Sequence, residues 1–237
     1  MNVFISSSES DLDFADRLVE HFKSLGFSVF RAPGSIATGT RDFHHEILKG
    51  ISDAEIFIPV ITQEFKKSDY CDQECGIAFV MNKIIFPIIV ENSDSSAPKI
   101  PYGFLKYFHK ITVGPATDRM APEFKKFLLD LMKAYPYLKR PIIYQVLEVL
   151  ENSGSWVQTG NLLFLLAEMG NDLNETDKIR IVRAAISPPT VPDFVSTYQA
   201  LDRCFVSIFN SDYSFLDIDT RKKLFENYPL LRYGSRS

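Results

Sequence analysis

The stretch Ile56-Phe57-Ile58-Pro59-Val60-Ile61-Thr62-Gln63-Glu64-Phe65-Lys66-Lys67-Ser68-Asp69-Tyr70-Cys71-Asp72-Gln73-Glu74 decides how this chain is read. Its first six residues are a short apolar run rich in β-branched and aromatic types, which reads as a buried strand. After Gln63 the run turns polar and offers Ser68 or Asp69 as a helix N-cap. The apolar Ile77-Ala78-Phe79-Val80-Met81 then continues as a helix. Glu74 falls in or near the first turn, at the carboxyl end of the strand. In open α/β sheets that edge is where ligands bind. The positive end of the helix dipole favours an ionised carboxylate there.

Working outward, the same alternation repeats. Val3-Phe4-Ile5 is a short strand, followed by the polar loop Ser6-Ser7-Ser8-Glu9-Ser10-Asp11. Leu12, Phe14, Leu18, Phe22 and Leu25 recur at near-helical spacing up to Gly26, a C′ glycine. Phe27-Ser28-Val29-Phe30 is a second strand, and a Pro- and Gly-bearing loop with Ile36 as its one large apolar residue follows. Phe43, Ile47, Leu48 and Ile51 mark a second amphipathic helix. Ile84-Ile85-Phe86-Pro87-Ile88-Ile89-Val90 is a fourth apolar run, whose Pro87 suits an edge or a bulge better than a central ladder. Ile111-Thr112-Val113 is a fifth strand and residues 123–134 a closing helix. Connections too long for hairpins and right for crossovers predict a doubly wound, five-stranded parallel sheet.

From Tyr135 the texture changes to proline-punctuated helical segments at 142–150, 161–169, 178–186, 195–209 and 216–228. The expected division is an α/β domain at 1–135 and a small all-helical domain at 136–237. A net charge of −4, without a basic excess, argues against nucleic acid as a partner. No apolar run reaches the ~20 residues of a membrane span, and no basic n-region precedes the first strand. The three cysteines, Cys71, Cys75 and Cys204, form no disulfide framework, which fits a reducing cytoplasm and buried thiols. His44-His45-Glu46 has ligand types, yet neighbouring helix positions point apart, so no metal is expected.

A series of boxes, in order and correctly spaced, carries a resemblance over residues 1–134. Val3-Phe4-Ile5-Ser6 with Ser8-Glu9-Ser10-Asp11 and Phe14-Ala15-Asp16-Arg17-Leu18 resembles the first box of TIR (Toll/interleukin-1 receptor) domains. Gly26-Phe27-Ser28-Val29-Phe30 is similar to the family's second strand, Ile36 with Gly39 to its BB loop, and Phe43-x-x-x-Ile47-x-x-Gly50-Ile51 to its second helix. Phe43 stands where the family usually has tryptophan. Ala54-Glu55-Ile56-Phe57-Ile58-Pro59-Val60-Ile61 resembles its third strand, and Ser68-x-Tyr70-Cys71-x-x-Glu74 the segment bearing the catalytic glutamate of TIR enzymes. The helical half resembles no family.

The resemblance implies a flavodoxin-like sheet and one of two roles. TIR adaptors assemble through the BB loop, here Ile36 to Gly39. TIR enzymes cleave NAD+ at the nicotinamide–ribose bond, giving nicotinamide and ADP-ribose, cyclic ADP-ribose or an isomer. NAD+ is then substrate, with no separate cofactor, and TIR–TIR self-association the expected assembly. By resemblance Glu74 is catalytic, and the architecture is similar to prokaryotic immune and anti-phage effectors. Bond chemistry agrees: nicotinamide leaves as a neutral molecule, so one carboxylate facing an oxocarbenium-like ribose is sufficient. Ser6, Ser7 and Ser8 would offer hydroxyls to the nucleotide, Tyr70 and Phe43 ring surfaces, and Arg31 and Arg41 phosphate charge. A third reading is an enzyme like the nucleoside deoxyribosyltransferases, which also use a glutamate at an N-glycosidic bond.

Overall fold

Two prolines shape the centre of the sheet. In the computed structural model, which describes residues 1–32, 43–90, 103–113, 120–154, 156–186, 195–229 and 231, strand β1 (Asn2–Ser6) lies between β2 (Ser28–Arg31) and β3 (Ile56–Ile61). The fourth apolar run is split into β4 (Ile84–Ile85) and β5 (Ile88–Val90), both paired with β3, and β6 (Ile111–Val113) pairs with β5. All described pairings are parallel. Of the edge or bulge expected for its proline, the edge is excluded: the fourth strand is interior to the sheet and interrupted there. Phe57 pairs with Ile85 and Val60 with Ile88, so the interruption at Phe86-Pro87 faces Ile58-Pro59. Pro59 has no N–H to donate toward this neighbour, and the ladder breaks there. The carbonyl of Pro87 is still used, accepting from Ile111 N at 3.2 Å.

With β4 and β5 read as one interrupted strand, the order is 2-1-3-4-5, the flavodoxin-like doubly wound arrangement expected from the sequence. Helices α1 (Leu12–Ser24) and α4 (Met120–Ala134) pack together on one face. There Phe22 meets Phe27, Phe124 and Phe127 edge to face. Helices α2 (Phe43–Asp53) and α3 (Asp69–Val80) cover the other face. Under them Phe4 stacks between Phe30 and Phe57, each 5.3 Å away, in a row that crosses three strands. Gly50 of α2 lies over this row, where a Cβ would come within 2.7 Å of the Phe30 ring.

The chain divides into two compact units, Met1–Pro136 and Tyr137–Ser237. The second contains α5 (Lys139–Glu151), α6 (Trp156–Glu168), α7 (Glu175–Ile186), α8 (Val195–Phe209) and α9 (Ile218–Asn227). Arg140 grips Asp177 through both guanidinium nitrogens, at 2.6 and 3.1 Å, and Arg180 grips Glu151 at 2.7 Å twice, fastening α5 to α7. Inside, Phe205 and Phe209 stack, and Tyr228 donates its hydroxyl to the Ala185 carbonyl. No described helix is long and apolar enough to cross a membrane.

Candidate functional site

The Ser68 hydroxyl accepts from Cys71 N at 3.3 Å and caps α3. The helix begins at Asp69, which puts Glu74 in its second turn. Cys71, Glu74, Cys75 and Ala78, spaced at i, i+3, i+4 and i+7, form the face of α3 that is buried against the sheet. Glu74 is therefore the one acid in an apolar stripe, only 6% exposed.

At the carboxyl end of β1, Ser6 is level with Pro59 of β3, and its hydroxyl donates to Glu74 Oε2 at 2.5 Å. Burial raises the Glu74 pKa from 4.5 to about 7, while the Ser6 hydrogen bond pulls the other way. This corrects the expectation of a first-turn acid kept ionised by the helix dipole: in the second turn, out of water, desolvation dominates. The neighbouring thiols are neutral for the same reason. Burial pushes Cys71 up to about 11 and Cys75 up as well.

In front of Glu74 opens a cleft of about 480 Å³, lined among the described residues by Ser7, Ser8, Glu9, Ser10, Ala32, Ile47, Glu64, Lys67, Ser68, Tyr70, Cys71 and Glu74. Of the expected site residues, Ser7, Ser8 and Tyr70 join Glu74 there. Ser6 lies behind the carboxylate and is not part of the lining. Ser8 donates to Asp11 Oδ2, which also receives Thr62 Oγ1 at 2.6 Å, so the loop after β1 is tied to the end of β3. The Ser7 hydroxyl is buried without a partner. Tyr70 is 56% exposed, its ring 6.2 Å from that of His44 and nearly parallel to it. Arg31 is buried, paired with Asp16 of α1 at 2.6 Å, and not among the described residues that line the cleft. Phe43 opens α2. Arg41, Ile36 and Gly39 lie outside the described residues.

Two charged residues of the cleft escaped the sequence reading. Glu64 and Lys67 pair at 2.6 Å in the turn between β3 and α3. Their i, i+3 spacing just past the strand end was the available signal. Among the described residues no group of three His, Cys, Asp or Glu side chains could hold a metal ion.

Comparison with known proteins places this geometry. The family model described as TIR domain matches residues 3–119. A similar solved structure is the TIR domain of the Toll-related receptor TRR-2 from the lower metazoan Hydra magnipapillata, at 21% identity and a TM-score of 0.42, covering 55% of this chain and 97% of that one. Another is the CMP N-glycosidase BcmB of Clostridium botulinum, at 18% identity and a TM-score of 0.32, covering 48% of this chain and 89% of that one. No curated protein matches. With its parallel sheet, its crossover helices and its match over residues 3–119, the N-terminal part of this chain is a TIR domain.

Proposed function

We propose that the TIR domain cleaves NAD+ at the nicotinamide–ribose bond, with Glu74 as the carboxylate that meets the ribose. The observation that carries this reading is a buried carboxylate with one oxygen held by Ser6, on the wall of a cleft of about 480 Å³. That volume lies in the ordinary range of small-ligand sites. As the C1′–N bond breaks, its electron pair passes to the nicotinamide ring, which departs uncharged, and positive charge develops on the ribose. An ionised Glu74 in a poorly solvated wall stabilises that charge more strongly than it would in water. The cleft suits a cationic ring. Glu9, Glu64 and Glu74 line it against Lys67 alone among the described residues, and Lys67 is already paired with Glu64. Attack by water on the ribose gives ADP-ribose, and attack by the adenine of the same molecule gives a cyclic product. In this reading the protein is an immune or effector enzyme, assembled by TIR–TIR contacts and regulated through its helical unit.

One observation favours the second reading, an interaction module without turnover. At the C-terminal end of α3, Phe79, Val80 and the capping Met81 are exposed, Val80 to 83%, an apolar patch suited to association. The two are separated by incubating the purified chain with NAD+ and following nicotinamide release, dilute and under crowding. Turnover that Glu74→Ala and Glu74→Gln abolish is expected. Turnover that survives Glu74→Ala excludes this carboxylate. No turnover in either condition leaves the assembly reading, and base exchange between nucleosides with NAD+ untouched selects the transferase reading.

A further inference from the structure

We propose that Ser6 is a positioning residue: it fixes the rotamer of Glu74 from behind through its hydrogen bond to Oε2, instead of touching the nucleotide. The proposal rests on the glycohydrolase reading for its consequence, though not for its geometry. Ser6 is buried at the last rung of β1, 68 residues away in sequence from Glu74, and its hydroxyl is spent on Oε2 at 2.5 Å. Glu74 itself lines the cleft, and its second oxygen is not among the buried atoms lacking a partner. One oxygen is thus anchored and the other is left for the ribose.

Serine suits this place because its hydroxyl works with both protonation states. It donates to the carboxylate and can rotate to accept from the acid, so the side chain stays put while its charge changes. The preference is still for the charged form, since a hydrogen bond to an ionised acceptor is the stronger one. Among the described residues no cation is paired with Glu74. Among the described residues, those near Glu74 that can carry charge are the neutral thiols of Cys71 and Cys75 on its own helix, and Glu9, Glu64 and Lys67 of the cleft. From α2 the described lining residue is the apolar Ile47, and from the loop after β1 Asp11 is occupied by Ser8 and Thr62.

Removing the hydroxyl in Ser6→Ala should raise the Glu74 pKa by about one unit, the scale of one lost charge-assisted hydrogen bond. Starting from about 7, that lowers the ionised fraction at pH 7 about fivefold and hardly changes it at pH 9. The experiment follows the Glu74 carboxyl by 13C NMR between pH 5 and 10, assigned by its loss in Glu74→Gln, alongside kcat/KM for nicotinamide release. In Ser6→Ala both midpoints should move up together, with activity recovered at pH 9. Ser6→Thr, which keeps the hydroxyl, should stay near wild type. A carboxyl midpoint unmoved in folded Ser6→Ala overturns the proposal, as does activity lost equally at every pH. A midpoint that moves while wild type shows no turnover keeps the Ser6–Glu74 coupling and overturns the glycohydrolase reading instead.

Discussion

Replacing Glu74 by glutamine should make this protein more stable, and only above a certain pH. The amide keeps the shape and the carbonyl oxygen that accepts from Ser6, but it cannot ionise. In the folded chain the Glu74 carboxyl titrates near 7 against an ordinary 4.5. At 1.36 kcal/mol for each factor of ten, that difference costs the ionised folded state about 3 kcal/mol. The sign follows from the raised value. Below about pH 4.5 folded and unfolded chains both carry the proton, and glutamate and glutamine should be equivalent. As pH rises the unfolded chain loses its proton first, and stability drains away until the folded carboxyl also ionises near 7. Above that the penalty is constant. Urea denaturation of wild type and Glu74→Gln at pH 4.5 and pH 8.5, following the transition of the Met1–Pro136 unit, reads this directly. The stability difference should open by about 3 kcal/mol in favour of glutamine between the two pH values. An equal difference at both pH values would mean that Glu74 does not titrate between them in the folded chain.

Three further outcomes follow from packing and charge. Gly50→Ala should destabilise the TIR domain by about 1 kcal/mol in chemical denaturation: its Cβ would meet the Phe30 ring at 2.7 Å, and moving that ring disturbs its stacking on Phe4. Overpacking of about 1–3 kcal/mol outweighs the helix propensity gained. Arg140→Met should cost the helical unit about 2 kcal/mol, less than for a fully buried pair because Asp177 retains the Asn174 N–H at 2.9 Å. Burial raises the Asp177 pKa, but Arg140 and that N–H outweigh it and hold it low. A double change with Asp177→Asn should recover much of the loss, which a mutant cycle measures. Asp202 of α8 is 7% exposed, with neither carboxylate oxygen partnered, and burial raises its pKa. Its folded form is therefore penalised increasingly as pH rises above the ordinary carboxylate range, and Asp202→Asn should raise the melting temperature more at pH 8 than at pH 4.

The sheet was legible because its information is local. Short β-branched runs bounded by glycine, proline and polar loops identify strands whatever they pair with, and crossover-length connections then leave few parallel topologies. Pro87, a residue without a donor, was expected at an edge or a bulge; the strand is interior and interrupted at that residue. Its partner in the interruption is Pro59, from another strand, and only register brings the two opposite each other. The position of Glu74 past the third strand was equally local, whereas its environment was not. Desolvation comes from the sheet under α3, and the Ser6 hydrogen bond crosses 68 residues. Arg31 was offered as phosphate charge, but Asp16 on a neighbouring helix claims it.

One local signal did carry the burial. Cys71-x-x-Glu74-Cys75-x-x-Ala78 is a stripe at i, i+3, i+4 and i+7, and the glutamate lies inside it. A solvated acid of an amphipathic helix falls on the opposite face, so an acid within the stripe must be met by a donor or carry a proton. Here it is met by Ser6, through a single hydroxyl, and that is too little to restore an ordinary pKa. The same poverty of partners that destabilises the fold above pH 7 leaves one oxygen uncommitted in the cleft. A carboxylate satisfied by two or three donors would be better for stability and worse for stabilising a ribosyl cation, because its charge would already be spent.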